Sequence, residues 1–368
     1  MRGTKLPEVT RQPWRFGGAE VDRRSLLTGL AAVGAFLVVD VGAVAYANNW
    51  LRPAAAFTRQ TVIDGLRSVY GVHLGFRKNH AKGVAVQGYF DSSGNATTLS
   101  TASVFRAGRT PVIGRFSLAG GDPFVADAPG TARGLGLAFG LPGREQWRTA
   151  MLNLPVFPDN SAQGFLGRAE AGKVVPGTGK PDPAAMAAFL GAHPETKAAM
   201  AIIKAHPPTV GFADSTFSGL NTFYAVDDAG VRTPVRWSFV PLQRAQSPGP
   251  GRDGLFDALV RQARGTPLRW RLELVVGEPS DPLDDPTVPW PAERRRVDAG
   301  TLTLTSALTE ASGNARDVNF DPLVLPNGIE PSGDPLLSAR SSVYAASYRM
   351  RTGEPKSPSA VQVDQVRV

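Results

Sequence analysis

Short runs in which apolar and polar residues alternate recur along the chain from residue 84 onward, and they limit the available folds more than any other feature. Alternation with period two is typical of a strand that buries one face. Glycine and proline are abundant, at 40 and 31 residues, and favour tight turns over long helices. The predicted strands are residues 84–90, 110–118, 134–139, 222–226, 235–240, 268–276 and 301–304.

Helical segments are predicted before, between and after these strands. Residues 57–70 carry apolar side chains at helical spacing, and residues 183–190, 196–205 and 336–348 are further predicted helices. The chain from Pro158 onward is predicted to be loop. Short antiparallel strands at regular spacing indicate a barrel or a sandwich. The sequence therefore predicts an α+β fold around a mostly antiparallel sheet.

The N-terminal 47 residues have the composition of an export signal. Arg23-Arg24-Ser25-Leu26-Leu27 opens an apolar run, and small residues follow, ending in Ala45-Tyr46-Ala47. A basic segment, an apolar segment and an Ala-x-Ala site together are typical of secretory signals. The paired arginines resemble a twin-arginine signal, so we expect export to the periplasm or to the outer face of the cytoplasmic membrane. The apolar stretch is also long enough to span a bilayer, which leaves an uncleaved membrane anchor as the alternative.

The rest of the chain is expected to form one domain, residues 48–351, with a C-terminal tail at 352–368. Cysteine is absent, which excludes disulfides, thiolate metal sites and cysteine nucleophiles. The net charge of +8 favours solubility. Nucleic-acid binding is not expected, because the one tight basic run, residues 294–296, is flanked by Glu293 and Asp298 and lacks interleaved aromatic residues.

Two places in the sequence carry residues suited to catalysis. The chain has four histidines, and His80 stands among basic residues in the segment 77–83, directly before a predicted strand. Histidine is the first candidate for acid–base chemistry near neutral pH. Near the C-terminus, Arg340 precedes Tyr344 by four residues and shares its helix face, where a guanidinium stabilises a phenolate. Phenolate is a known axial ligand of haem iron, but a structural histidine and a surface Arg–Tyr pair remain alternatives at this point.

These two segments belong to a longer series of motifs that resembles the haem catalases, and most closely their short relatives, the catalase-related peroxidases. No P-loop, dinucleotide-binding fingerprint, nucleophile elbow or His-Glu-x-x-His motif competes with this resemblance. The resemblance covers nearly all of the chain after the predicted signal, in the order expected for the family. The motifs that carry it are residues 77–83, 111–117, 132–139, 153–157, 221–223, 237–239, 285–291, 300–304, 328–332 and 340–344.

The resemblance implies a haem b buried in an eight-stranded antiparallel β-barrel with surrounding helices and loops. In the family pattern Tyr344 is the axial ligand of the iron, and Arg340 holds it as phenolate. His80 is the distal acid–base residue, with Asn153 as its polar partner and Ser117 bonded to its ring.

The same resemblance assigns the surroundings of the haem. Arg77, Arg115 and Arg351 are expected to face the haem propionates. Phe157 or Phe165 is expected to pack near the porphyrin. The placement of Arg351 stays open, because Tyr344-Ala-Ala-Ser-Tyr348 replaces the family's usual Tyr-x-Asp-Thr. NADPH binding has no support in the sequence.

The activity implied is a haem-dependent peroxidase that reduces organic hydroperoxides and hydrogen peroxide with an unidentified organic electron donor. Full catalases have a long N-terminal arm and a C-terminal helical domain that narrow the channel and build a tight tetramer. Their absence here implies an open haem site, weak dismutation of hydrogen peroxide, and a monomer or small homo-oligomer. The alternatives are a true catalase and a non-catalytic, catalase-like protein that binds haem or lipid.

Overall fold

The computed structural model describes residues 14–16, 19–21 and 57–367. The chain divides into two units, residues 1–57 and 58–368. In the first, β1 (Trp14–Phe16) pairs with β2 (Ala19–Val21) in antiparallel register. The predicted apolar segment of the export signal lies outside the described residues. Among the described residues, none of the helices combines the length and the apolar character needed to cross a membrane.

The second unit alternates strands with helices. Its helices are α1 (Arg59–Tyr70), α2 (Ala162–Ala171), α3 (Pro183–Ala192), α4 (Pro194–Ala205), α5 (Gly254–Gly265) and α6 (Pro335–Gly353). Its strands are β3 (Gly83–Ser92), β4 (Gly108–Leu118), β5 (Arg133–Gly140), β6 (Gln146–Leu152), β7 (Phe217–Ser218), β8 (Phe223–Val226), β9 (Arg232–Pro241), β10 (Leu268–Val276), β11 (Arg296–Leu308) and β12 (Ile329–Pro331).

Eight of these strands close into an antiparallel barrel. Hydrogen bonds join them in the order β10–β11–β3–β4–β5–β6–β7–β9, and β9 pairs again with β10 to complete the circle. Strands β8 and β12 continue the sheet outward from β9. The prediction of an α+β fold around an eight-stranded antiparallel barrel is confirmed.

Large aromatic side chains fill the inside of the barrel. The Trp147 ring lies 4.7 Å from that of Phe139 and 5.2 Å from that of Trp237, measured between ring centroids. Successive residues of a strand point to opposite faces. The neighbours of these aromatic residues, such as Ala138, therefore lie on the outer wall. The expectation that a cofactor is buried inside the barrel is wrong, because packed side chains occupy that space.

Capping side chains fix the starts of the helices that border the site. The Thr58 side chain accepts the amide of Thr61 at the start of α1. Asp334 accepts the amide of Leu336 at 2.8 Å at the start of α6. The predicted loop after Pro158 is wrong over α2, where Ser161 Oγ accepts the amide of Gly164 at 3.1 Å.

The residues that follow α6 pack against the barrel. Val361, Val363 and Val366 are buried in the main hydrophobic core. The Arg264 guanidinium on α5 donates to the carbonyl of Val363 at 2.7 Å. The Thr309 hydroxyl accepts the amide of Val363 at 2.9 Å. The predicted tail, 352–368, is thus anchored to the barrel domain over much of its length.

Candidate active site

A deep cleft separates the outer wall of the barrel from helices α1, α2 and α6. It contains about 1130 Å³ of space that no protein atom fills, part of it open to solvent. On the barrel side its lining includes Gly134, Gly136 and Ala150, all of which have small or no side chains. On the helix side α6 contributes Arg340 and Tyr344. These small residues let flat groups lie close against the outer wall of the barrel.

His80 enters this cleft from the loop before β3. Its φ of +54° lies in the left-handed region, which side chains other than glycine rarely adopt. The Asn79 side-chain oxygen accepts the amides of both His80, at 3.0 Å, and Gly120, at 2.9 Å. The ring nitrogen Nδ1 lies 3.1 Å from the Ser117 hydroxyl. Asn79 thereby holds the backbone of His80, and Ser117 on β4 holds its ring.

Glycines on β5 make room for two rings that press on the outer wall. A Cβ at Gly134 would lie 2.8 Å from the Ser117 hydroxyl and 3.0 Å from Nδ1 of His80. A Cβ at Gly136 would lie 2.8 Å from the ring of Phe320. Strand β4 places Ser117 opposite Gly134 and Arg115 opposite Gly136. Because these two positions have no side chain, the His80 and Phe320 rings can lie directly against the strand.

The environment of His80 keeps its imidazole neutral. Burial is the largest cause, and the positive charges of Arg115, Arg340 and Arg77 add to it, lowering the pKa of His80 to about 3. A neutral imidazole has one N–H and one free nitrogen. If Nδ1 donates to Ser117, Nε2 is left free to accept a proton from a ligand.

Helix α6 presents Tyr344 to the cleft beside a firmly held arginine. Nη2 of Arg340 donates to the carbonyl of Ala150 at 2.8 Å, and Nη1 donates to the side-chain oxygen of Asn221. Asn221 in turn donates to Asp334 at 2.6 Å. Cζ of Arg340 lies 6.0 Å from the centroid of the Tyr344 ring. Among residues 57–367, the Tyr344 hydroxyl has no hydrogen-bond partner, so it is available to a ligand.

Arginines gather at one end of the cleft. Nη2 of Arg77 donates to the carbonyls of Ala315 and Val318 at 3.0 and 2.9 Å, and Nη2 of Arg351 donates to the same Val318 carbonyl at 3.1 Å. Burial, followed by repulsion from neighbouring arginines, lowers the pKa of Arg77, and the same causes lower the pKa of Arg351 to about 10. Arg115, the third arginine, is paired with a carboxylate. The positive charge left over suits an anionic ligand group.

The cleft brings together every predicted site residue except Asn153. It is lined by His80, Arg77, Arg115, Ser117, Phe157, Phe165, Arg340, Arg351 and Tyr344. In the described part of the chain, Asn153 lies outside this lining, and its side-chain oxygen accepts the amide of Arg133 at 2.6 Å.

Three residues of the site escaped the sequence analysis. Tyr348 and Phe320 line the cleft, and Glu310 pairs with Arg115 from outside the lining. The spacing of Tyr348, one turn after Tyr344, is a signal that could have found it. Glu310 stands 195 positions from Arg115, and no local pattern joins the two.

The fold and the site define a class of proteins, the catalase-like barrels. The family model for catalase matches residues 61–249. A catalase-related peroxidase from Synechococcus elongatus is 38% identical over 305 residues, covering 81% of this chain and 90% of the relative. Another from Mycolicibacterium paratuberculosis is 29% identical over 317 residues, covering 84% of this chain and 100% of the relative.

Solved structures agree on the fold. Catalase A from Saccharomyces cerevisiae superposes with a TM-score of 0.69 at 20% identity, over 95% of this chain and 68% of the yeast chain. The predicted membership is thereby confirmed: this chain belongs to the catalase family, and it is an oxidoreductase that acts on peroxide.

The residues present fit the haem that this family binds. The Tyr344 hydroxyl lacks a partner within residues 57–367 and is free to reach a metal. Gly134 and Gly136 keep the barrel wall flat, and Arg77 and Arg351 supply positive charge for carboxylates. The donor set therefore matches an anionic, planar macrocycle.

Proposed function

We propose that this protein is a haem b peroxidase that reduces organic hydroperoxides, and also hydrogen peroxide, while it oxidises an organic donor. One observation carries the proposal: a neutral, oriented His80 and an arginine-flanked Tyr344 line the same cleft. A histidine alone is compatible with many classes of enzyme, and a tyrosine alone is not sufficient for a haem peroxidase. Together they supply the proton transfer and the iron ligand that peroxide cleavage needs.

Each residue of the site has a separate role in the proposed reaction. Haem, when bound, supplies the iron at which the O–O bond of a peroxide is broken. Nε2 of His80 would accept a proton from one peroxide oxygen and return it to the oxygen that departs. Ser117 holds the ring during both transfers. Tyr344 would bind the iron through its phenolate oxygen, and Arg340 stands beside its ring.

The resemblance predicts that Asn153 is the polar partner of His80, and that role stays a prediction. Its side-chain oxygen is engaged by the Arg133 amide, while its side-chain NH₂ group has no partner within residues 57–367. An Asn153→Ala variant separates the two uses. Loss of turnover with unchanged stability would support an orienting role, whereas loss of stability alone would assign Asn153 to the loop.

The preference for organic hydroperoxides is supported by the apolar walls of the cleft. Helix α1 contributes Val62, Ile63 and Leu66 to the lining, and α2 contributes Ala162 and Phe165. An alkyl chain is stabilised by such contacts at roughly 25 cal/mol for each Å² that it removes from water. Hydrogen peroxide gains nothing from them. We therefore expect alkyl hydroperoxides to have the lower KM.

Turnover measurements with the haem-loaded protein test the proposal. Hydrogen peroxide and an alkyl hydroperoxide are compared, each with and without an aromatic donor. We expect a Soret band, donor-dependent turnover of both peroxides, altered haem ligation in Tyr344→Phe, and loss of turnover in His80→Ala. His206→Ala is the matched control, because His206 is exposed at the end of α4. Purified protein that neither contains haem nor binds added haem would refute the proposal.

The two alternative functions would give different results in the same assay. A true catalase evolves one oxygen molecule for every two molecules of hydrogen peroxide and needs no donor. A non-catalytic haem- or lipid-binding relative consumes neither peroxide. Peroxide consumption therefore separates the non-catalytic protein from the two enzymes, and the oxygen evolved per peroxide consumed separates the catalase from the peroxidase. We expect little oxygen from this protein.

The proposal also includes export of the protein and its oligomeric state. The paired arginines and the apolar run within residues 1–47 support export to the periplasm or to the outer face of the cytoplasmic membrane. Fractionation followed by N-terminal sequencing distinguishes cleavage after Ala47 from a retained anchor. A monomer or small homo-oligomer is expected, and light scattering of the purified protein measures it.

A further inference from the structure

Arg115 and Glu310 form a buried ion pair beside His80. Arg115 is 3% exposed and Glu310 is 8% exposed. Nε and Nη2 of Arg115 donate to the two carboxylate oxygens at 2.8 and 2.9 Å. This two-point pairing fixes the plane of the guanidinium as well as its position. Attraction from Arg115 and the nearby Arg77 and Arg316 outweighs burial and lowers the pKa of Glu310, so its carboxylate stays ionised.

The remaining donors of Arg115 are directed at the loop of His80. Nη1 donates to the carbonyl of His80 at 2.7 Å, and Nη2 donates to the carbonyl of Ala81 at 3.0 Å. A guanidinium has five N–H groups, and the protein uses four of them here. At most one is left for a bound ligand.

Arg77 and Arg351 differ from Arg115 in this respect. Within residues 57–367, Arg77 donates only through Nη2 and keeps its Nε and Nη1 hydrogens for other partners. Arg351 donates one hydrogen to the carbonyl of Arg316 and one to that of Val318. These two arginines are therefore the better equipped to bind the carboxylates of a ligand.

Neighbouring residues show that the Arg115 geometry is built into the fold. A Cβ at Gly83 would overlap Cζ of Arg115, so the guanidinium lies directly on the backbone of β3. The φ of His80, +54°, costs free energy and persists only where surrounding contacts enforce it. The two carbonyls that Arg115 holds belong to this strained residue and to the next one.

We propose that Arg115 and Glu310 are a positioning pair for His80. Glu310 locks the guanidinium of Arg115, and the guanidinium holds the His80 and Ala81 carbonyls, which keeps the imidazole at Ser117. The anionic groups of the cofactor are left mainly to Arg77 and Arg351. This assignment rests on the proposed function, because it is the proton transfer by His80 that needs such positioning.

Three variants of the full-length chain test the pair. Glu310→Gln removes the charge that locks the guanidinium. Arg115→Lys keeps the positive charge but replaces four directed hydrogen bonds with three donors on one atom. Asp281→Asn is the matched control, because Asp281 is also 8% exposed and pairs at two points with an arginine, Arg294, outside the cleft lining.

Nitrogen NMR of labelled histidine rings gives a readout that needs neither haem nor activity. The chain has four histidines, and a His80→Gln spectrum identifies the signal of His80. We expect a single neutral tautomer from pH 8 to pH 5 in the unmodified protein and in Asp281→Asn. In Glu310→Gln and Arg115→Lys we expect mixed tautomers and protonation within that range. If Glu310 acted on His80 only through its negative charge, Glu310→Gln would instead oppose protonation of His80.

Haem affinity separates the positioning role from ligand binding. We expect Arg115→Lys to change the affinity by less than about tenfold, a factor equivalent to 1.4 kcal/mol. Unchanged histidine spectra in both site variants, or a larger loss of affinity in Arg115→Lys, would overturn the assignment. A chain that bound no haem would refute the proposed function, yet the histidine spectra would still decide the positioning role.

The unmodified protein provides a test that does not depend on any variant folding. The Nε–H signal of Arg115 should be protected from solvent exchange equally with and without cofactor, since its acceptor is Glu310. Protection that arises only when the cofactor binds would show that the cofactor, and not Glu310, orders Arg115.

Discussion

Gly134→Ala tests how closely the barrel wall must approach His80. The added Cβ would lie 2.8 Å from the Ser117 hydroxyl and 3.0 Å from Nδ1 of His80, well inside the ~3.5–4.0 Å optimum for non-bonded contacts. Both contacts belong to one hydrogen bond, whose atoms are 3.1 Å apart. The ring of His80 must therefore move away from Ser117, and the hydrogen bond that orients it is lost.

The size of the effect follows from these contacts. Overpacking of this kind costs about 1–3 kcal/mol, and loss of the hydrogen bond adds about 0.5–1.5 kcal/mol. We expect the free energy of unfolding to fall by about 1.5–4.5 kcal/mol. A displacement of about 1 Å in a catalytic group lowers turnover about 100-fold. Denaturant unfolding gives the first quantity, and peroxide turnover by haem-loaded protein gives the second.

Gly140→Ala is the matched control, because it adds the same methyl group to the same strand. A Cβ there meets Pro111 at an ordinary distance of 3.6 Å. We expect Gly140→Ala to retain both stability and turnover. Wild-type turnover in Gly134→Ala would refute the argument that contact with the barrel wall positions His80. Equal losses in both variants would refute it as well, by assigning the effect to the strand.

Three further perturbations have defined outcomes. Lowering the pH from 7.5 to 5 should destabilise the protein, because His80 is protonated in the unfolded chain, at its ordinary pKa of 6.5, but not in the folded chain, where its pKa is about 3. Urea unfolding should show that His80→Gln removes up to about 2 kcal/mol of this loss of stability. Lys78→Met leaves the carboxylate of Glu354 without its buried partner and should cost about 3–5 kcal/mol of unfolding free energy. Asn221→Ala frees Arg340 on one side and should alter the Soret spectrum while stability falls by about 1–3 kcal/mol; an unchanged spectrum would contradict the role given to this contact.

The strands of the barrel were accessible from the sequence because alternation is a local signal. Two barrel strands, β6 and the short β7, are missing from the predicted set, although in β6 Trp147, Thr149 and Met151 are buried on alternate positions. Helix α2 was also missed, since Gly164 and Gly167 weaken its helical pattern. That helix is stabilised by its cap at Ser161 and by packing of Leu166, which only the folded chain supplies.

The residues of the site could be predicted from the sequence in a different way. Motif resemblance found the residues that contact the cleft, and the basic segment before β3 made His80 conspicuous. The partners that orient those residues were not accessible. Glu310 meets Arg115 across 195 positions, and Asn221 meets Asp334 across 113. Contacts of this range depend on the closure of the barrel and leave no periodic trace in the sequence.

The two sides of the cleft are tied to each other by the protein itself. The carbonyl of Val318 accepts hydrogen bonds from Arg77, on the His80 loop, and from Arg351, on the helix of Tyr344. The ion pair of Lys78 with Glu354, at 2.7 Å, joins the same two segments. Because the His80 loop and α6 share these buried contacts, they hold each other without help from a ligand. Cofactor binding then does not have to supply the free energy that assembles the site. A site assembled in advance is the condition for preorganised catalysis.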